Sequence, residues 1–62
     1  MGVLNRYRIR FVVRKQTYEE ELSLDFYNYS LELAEDAVSG YCDNHDWELV
    51  KIVRVFIFRG AR

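Results

Sequence analysis

The chain has 62 residues, of which half are apolar, and its formal net charge is −1. This composition excludes a disordered tail and indicates a single packed domain over residues 1–62. One cysteine cannot form an intrachain disulfide, and one cysteine with one histidine cannot build a four-ligand zinc site. We therefore expect no metal and no cofactor, and we expect a cytoplasmic location because a lone thiol suits a reducing compartment.

Charge is sorted along the chain. Residues 1–15 carry five cations and no acid, residues 16–50 carry all ten acids and no lysine or arginine, and residues 51–62 carry four cations. No long apolar run or secretory leader pattern is present. This distribution predicts acidic and basic elements that pair within one fold.

The first predicted element is a strand over residues 3–13. The odd positions read Val, Asn, Tyr, Ile, Phe, Val and the even positions Leu, Arg, Arg, Arg, Val, and this period of two is typical of a strand with one apolar and one basic face. Its basic face, continued to residue 14, holds Arg6, Arg8, Arg10 and Arg14.

The stretch TYEEELSLDF, residues 17–26, has the same period with the opposite charge, so we expect it to fold back as the second strand of a hairpin. No Asn-Gly or Asp-Gly is present, which favours a loop of about four residues over a tight turn. Even residues of the first strand then face odd residues of the second. The arginine row is expected beside Glu19, Glu21 and Asp25, although a nucleic-acid surface made by the same arginines stays open.

An amphipathic helix is predicted next, in SLELAEDAVSGYCDNH, residues 30–45. Ser30 is suited to the N-cap, and Asn44 to a left-handed residue at the C-terminal end. Gly40 is disfavoured inside a helix, so we expect it to allow close approach to the sheet. The apolar side of this helix holds Leu31, Ala34, Val38, Tyr41 and Cys42.

The opposite side of the helix is acidic. It is either a solvated surface or a recognition surface that supplies the electrostatics of phosphates to a basic groove, as a DNA mimic does. The acidic face consists of Glu32, Glu35, Asp36, Asp43 and Asp46.

The segment CDNHD, residues 42–46, joins a thiol, an imidazole and carboxylates, which together suggest a nucleophile and its base. Cys42 falls on the predicted core side, however, where a free cysteine is usually an inert apolar residue. His45 falls at the helix end, where a histidine commonly interacts with the last carbonyls. We therefore expect no catalytic residue and no enzyme.

The final element, WELVKIVRVFIFR, residues 47–59, is the most β-prone part of the chain. The order β-β-α-β predicts an α+β fold with a three-stranded antiparallel sheet, strand order 2-1-3, and one helix on one face. The expected core is Tyr7, Ile9, Phe11, Val13, Leu22, Leu24, Phe26, Leu31, Ala34, Val38, Tyr41 and Trp47, with one side of the third strand.

In this topology the third strand is an edge with an apolar run, which is an aggregation hazard unless it is covered. Pairing with a second copy across a twofold axis would make a six-stranded sheet. We therefore expect a homodimer with Val55, Phe56 and Phe58 at the interface.

The size and the order of elements resemble those of small phage-encoded host-inhibitor proteins, such as the β-β-α-β uracil-DNA glycosylase inhibitor and anti-CRISPR or other anti-defence proteins. The likeness rests on the hairpin, the single acidic helix and the closing strand, and it includes no specific motif. It implies a dimeric inhibitor that acts by covering a surface of its target, and it identifies no functional residue.

The expected function is therefore that of a non-catalytic viral or mobile-element protein that inhibits a host defence or DNA-processing protein as a homodimer. Its partners would be that host protein and a second copy, with no membrane, in the cytoplasm of the host cell. The alternative is a small nucleic-acid-binding or regulatory module. It ranks second because the aromatic residues of the first strand lie opposite its arginines, so base stacking and charge point to different faces.

Overall fold

A computed structural model describes residues 2–60 of the chain. The elements are β1 (Asn5–Lys15), β2 (Tyr18–Asn28), α1 (Leu31–Asn44) and β3 (Glu48–Phe58). The strands form one antiparallel sheet in the order β2-β1-β3. The helix lies on one face of that sheet, so the predicted α+β fold and strand order are confirmed. Within the part of the chain described, no helix has the length and apolar character needed to cross a bilayer.

The hairpin turn is tighter than expected. Lys15 pairs with Tyr18, which leaves only Gln16 and Thr17 in the loop, and Gln16 has a φ of 52°. A positive φ is unfavourable for a residue with a side chain, but the primed turns that suit a twisted hairpin require it. The expectation of a four-residue loop is wrong because pairing continues to the last strand residue, where Lys15 also binds Glu20.

The core lies between β1 and the helix. The odd-numbered side chains of β1 from Tyr7 to Val13 are buried, as are Ala34, Val38 and Cys42 on the facing line of α1. The predicted core residue Leu31 is an exception, because its side chain is 37% exposed. It belongs to the first turn of α1, which starts at the end of the sheet where few side chains cover it. Half-buried residues complete the core: Leu22, Leu24, Phe26, Tyr41, Trp47, Leu49, Ile52 and Val55.

The helix ends follow the sequence prediction in part. Ser30 is the N-cap, and its hydroxyl accepts a hydrogen bond from the Leu33 N–H at 3.2 Å. At the other end the left-handed residue is Asp46, with φ 62°, rather than Asn44, which is still helical. Gly40 is not a site of close approach, because a Cβ added there would meet no atom within 4 Å.

The strand β3 pairs with β1 in an irregular register, whereas β2 pairs with β1 in a continuous one. Its pairing with β1 shifts twice, between Arg10 and Phe11 and between Val12 and Val13 of β1. Each shift leaves one extra residue on β3, Val53 and Val50 respectively, and both are exposed. Such bulges reverse which residues of a strand face each side of the sheet.

Candidate binding surfaces

The sheet face away from the helix carries the predicted charge ladder. Arg8 bonds Asp25 with a closest N–O distance of 2.9 Å, and Arg10 lies 3.3 Å from Glu21. Arg14 contacts Glu19 at 2.8 Å. These pairs form because even residues of β1 oppose odd residues of β2 in the observed register.

The ladder changes the protonation equilibria of its members. The hydrogen bond from Arg8 holds the pKa of Asp25 below its usual range, and the same pair raises the pKa of Arg8. Hydrogen bonding to Glu19, with the charge of Glu48, raises the pKa of Arg14. All these groups are exposed, so the pairs neutralise the arginine row more than they stabilise the fold.

The predicted basic face is therefore largely neutralised within the molecule. Arg6 also reaches Asp25, at 3.9 Å, and Arg14 reaches Glu48 on β3 at 3.3 Å. Among residues 2–60, the cations without an ion pair are Lys51, Arg54 and Arg59. Free positive charge thus lies on and just after β3, rather than on β1 where the sequence concentrates its arginines.

Aromatic residues and arginines share this outer sheet face. Arg6 opposes Phe58 and Arg8 opposes Phe56 in the β1–β3 pairing, and directly opposed residues of antiparallel strands point to the same side. The guanidinium carbon of Arg6 lies 4.3 Å from the centre of the Phe58 ring. The expectation that stacking and charge point to different faces holds for β1 but is wrong for the sheet as a whole, because β3 supplies the rings.

The acidic face of α1 forms a second surface on the opposite side of the molecule. Each of its five carboxylates is exposed, and none makes an ion pair within the described chain. The structure thus holds unpaired negative charge on the helix, paired charge in the hairpin and unpaired positive charge on β3. This surface comprises Glu32, Glu35, Asp36, Asp43 and Asp46.

The residues expected at a dimer interface differ in exposure. Phe56 is 43% exposed and Phe58 is 37% exposed, as an interface with a second copy requires. Val55 is half-buried and packs against the core instead. Ile57, which sequence reasoning did not select, is 44% exposed.

Cys42 and His45 are not arranged as a nucleophile and its base. Cys42 is buried, and burial, with a contribution from Asp43, raises the pKa of its thiol. A raised pKa lowers the fraction of reactive thiolate at neutral pH. His45 is exposed and stacks on Trp47 with ring centres 4.5 Å apart and planes inclined by 18°.

This aromatic stack borders an open notch at the hairpin end of the molecule. The ammonium of Lys15 lies 4.1 Å from the centre of a Trp47 ring, and it also binds Glu20. Lys15 and His45 thus both pack on Trp47. The notch has a volume of about 390 Å³ and is lined by Lys15, Gln16, Tyr18, His45, Asp46 and Trp47.

Within residues 2–60, no three His, Cys, Asp or Glu side chains are grouped so as to hold a metal ion. The sequence matches no protein-family model, and neither the curated proteins nor the solved structures give a significant match. The resemblance to phage inhibitors therefore stays a prediction.

Proposed function

We propose that this chain is a non-catalytic protein of viral or mobile-element origin that binds and inhibits a host defence or DNA-processing protein as a homodimer. In this proposal the acidic face of α1 occupies a basic groove of the target. The observation that carries the proposal is the set of four exposed carboxylates on α1, with that of Asp46 just beyond its end, none of which makes an ion pair in the described chain. Charge left unpaired within a molecule is available to steer and orient a partner of opposite charge.

The dimer follows from the uncovered edge of β3. An edge strand presents free backbone N–H and C=O groups, and an exposed apolar edge favours pairing with another strand. Antiparallel pairing of two copies of β3 places a twofold axis perpendicular to the sheet, which keeps both helices on one side. The two acidic faces then form one larger surface on the side of the target.

The register of this pairing is restricted by charge. A twofold axis at Arg54 opposes two guanidinium groups, and directly opposed like charges are destabilising. An axis at Phe56 avoids this contact, because it opposes Phe56 to its own copy and Arg54 to Phe58 of the second copy. It also opposes Val55 to Ile57 of the second copy on the helix side, which extends the apolar core across the axis.

The mass in solution tests the dimer. Light scattering coupled to size-exclusion chromatography should give twice the 7.5 kDa mass of the chain at micromolar concentration. A mass of one chain at this concentration would refute the homodimer.

The acidic face is tested by neutralisation. The variant Glu35→Gln/Asp36→Asn/Asp43→Asn removes three unpaired helix charges. Glu19→Gln/Glu20→Gln/Glu21→Gln is the matched control, because it makes the same change in net charge on β2. Each protein serves as bait in a bacterial lysate, and captured proteins are identified by mass spectrometry.

We expect a protein that the wild type and the β2 variant capture, that the helix variant loses, and that added duplex DNA releases. Release by duplex DNA is expected because the acidic face and DNA compete for one basic groove. Capture that is unchanged when the helix is neutralised would refute a role for the acidic face in target binding.

A further inference from the structure

The outer side of β3 combines unpaired cations with exposed aromatic rings, which are the features of a ligand surface. Lys51, Arg54, Phe56 and Phe58 lie on the outer face, where they oppose Val12, Arg10, Arg8 and Arg6 of β1 respectively. We call these four β3 residues the β3 strip. The helix packs on the other face, so no element of residues 2–60 covers the strip.

The strip is the place where free positive charge and free aromatic surface coincide. The cations of β1 are engaged by carboxylates of β2 and by Glu48, whereas Lys51 and Arg54 make no ion pair within the described chain. Beside them, the Phe56 ring is 43% exposed. Arg54 lies 5.7 Å from the centre of that ring, so charge and ring can contact the same ligand.

We propose that the β3 strip binds single-stranded nucleic acid, with Phe56 stacking on a base and with Lys51 and Arg54 contacting phosphates. Aromatic platforms beside a line of cations are the general means by which proteins hold single strands without reading sequence. This proposal does not involve the acidic helix face, but Phe56 also lies at the twofold axis of the proposed dimer.

Two details favour a single strand over a duplex. The unpaired cations follow one strand, which suits one phosphate backbone, while the neighbouring arginines of β1 are already paired with carboxylates. Residues two apart on a strand are separated by about 6.7 Å. This is roughly twice the 3.4 Å spacing of nucleotides in a duplex strand, so successive outward side chains of β3 match an extended strand better than a duplex strand.

An acidic peptide is the competing occupant, because it would also contact Lys51 and Arg54. A peptide of glutamates, however, gains nothing from the exposed ring of Phe56. Loss of that ring therefore distinguishes the two ligands. The overall net charge of −1 does not oppose the proposal, because the unpaired acids lie on the helix side of the molecule.

The test measures fluorescence anisotropy of labelled 20-nucleotide oligo(dT) and oligo(U) at low and rising salt. Phe56→Ala should raise the Kd about tenfold, because stacking on one aromatic ring is worth that much or more. Tyr18→Ala is the matched control, since it removes a ring at the hairpin end that is even more exposed than Phe56, and it should leave the Kd unchanged. Circular dichroism confirms that each variant is folded.

Arg54→Gln should lower the slope of log Kd against log salt by about 0.7, the value expected for one phosphate contact to a single strand. Lys15→Gln is the control for loss of one cation, and it should leave the slope unchanged because Lys15 is bound to Glu20. Binding of both oligonucleotides, or of one of them, supports the proposal and identifies whether DNA, RNA or both are bound.

Several results would overturn the inference. One is absence of binding to either oligonucleotide at low salt with about 100 µM protein, the weak end of non-specific nucleic-acid binding. Another is a Kd that Phe56→Ala does not change. Equal competition by polyglutamate or tighter binding of duplex DNA would also exclude a stacked single strand.

Discussion

The sheet has two edge strands of equal length, β2 and β3, and they are protected in different ways. On β2, residues from Glu19 to Asp25 place a carboxylate or Ser23 at each outward position, and all three carboxylates are matched by arginines of β1. On β3 the exposed side chains are mainly Val50, Val53, Phe56, Ile57 and Phe58. The difference teaches that one sheet can have a closed edge, β2, where charge opposes pairing with another strand, and an open edge, β3, where pairing is favoured.

Self-pairing makes the contrast explicit. Two copies of β2 paired about Ser23 would oppose Glu21 to Asp25, which repel each other across the strands. Two copies of β3 paired about Phe56 oppose aromatic and apolar side chains. The molecule should therefore associate through β3 and not through β2.

The largest expected effect is the loss of this association on placing a charge in the open edge. Ile57→Lys puts two lysines into the twofold interface and removes two apolar contacts, so the dissociation constant of the dimer should rise about 100-fold. Sedimentation equilibrium measures the change. Tyr27→Lys, which makes a comparable substitution at a half-exposed position on β2, should leave the dimer intact.

If Tyr27→Lys weakened the dimer as much as Ile57→Lys, then β2 would be the associating edge and the comparison would be reversed. Equal masses for both variants and the wild type would show that neither edge associates through these side chains.

A smaller effect is expected when the closed edge is opened. Glu21→Val/Ser23→Val removes a repelling charge and adds apolar surface on β2, so association through β2 should strengthen about tenfold. Each subunit then has two open edges, and light scattering should detect species larger than a dimer. Glu35→Val/Ser39→Val has the same composition on the helix and should stay dimeric. If both variants formed assemblies of equal size, added hydrophobicity rather than the β2 edge would drive assembly.

The sequence predicts the regular edge better than the irregular one. Strict alternation in β1 and β2 determines which residues share a face, so the arginine–carboxylate ladder follows from parity alone. The two-residue turn at Gln16 is harder to predict. The sequence shows the unfavourable positive φ of Gln16 as a local cost, whereas the pairing of Lys15 with Tyr18 that offsets it depends on the whole hairpin. The position of Leu31 likewise depends on where the helix begins relative to the end of the sheet.

In β3 apolar and polar residues do not alternate regularly. The sequence therefore could not predict which residues form the β3 strip. Glu48, Lys51 and Arg54 are spaced by three, so a regular strand would place Lys51 on the opposite face from the other two. The bulged residues Val50 and Val53 bring all three to the outer face. Polar residues at a spacing of three in an apolar strand are the signal that could have indicated these bulges.

A third effect concerns the stability of the fold, changed by a substitution that leaves both edge strands as they are. Gly40→Ala should raise the free energy of unfolding by about 1 kcal/mol, because alanine is the better helix residue and the added Cβ meets nothing within 4 Å. Both edges stay unchanged, so this variant is a stabilised background for the edge substitutions. Thermal unfolding followed by circular dichroism should show a rise of several degrees.

Gly60→Ala is the matched control for that gain. Gly60 also has open space, but its φ is +67° and its N–H donates to Asn5 Oδ1 at 2.9 Å. Alanine at this φ is strained, so the substitution should lower stability and loosen the end of β3. A loss of stability in Gly40→Ala would contradict the account of the helix.

The smallest effect is the pH dependence of the closed edge. The hydrogen bond from Arg8 lowers the pKa of Asp25 in the folded state, so Asp25 adds stability above about pH 4, the pKa of an unfolded aspartate. That contribution is lost as the pH falls through the lowered folded pKa. Urea unfolding should show wild type more stable than Asp25→Asn at pH 7, with the difference shrinking as the pH falls through the lowered folded pKa of Asp25.

Asp36→Asn controls for loss of one negative charge, because Asp36 is exposed and makes no ion pair within the described chain. A pH-independent difference between wild type and Asp25→Asn would show that Asp25 acts by shape rather than charge. Since protonation of Asp25 also removes its repulsion from Glu21 of a paired copy, acid should open the β2 edge while it weakens the ladder. Association through β2 that appears only at low pH would therefore show that carboxylate charge on this strand prevents its association at neutral pH.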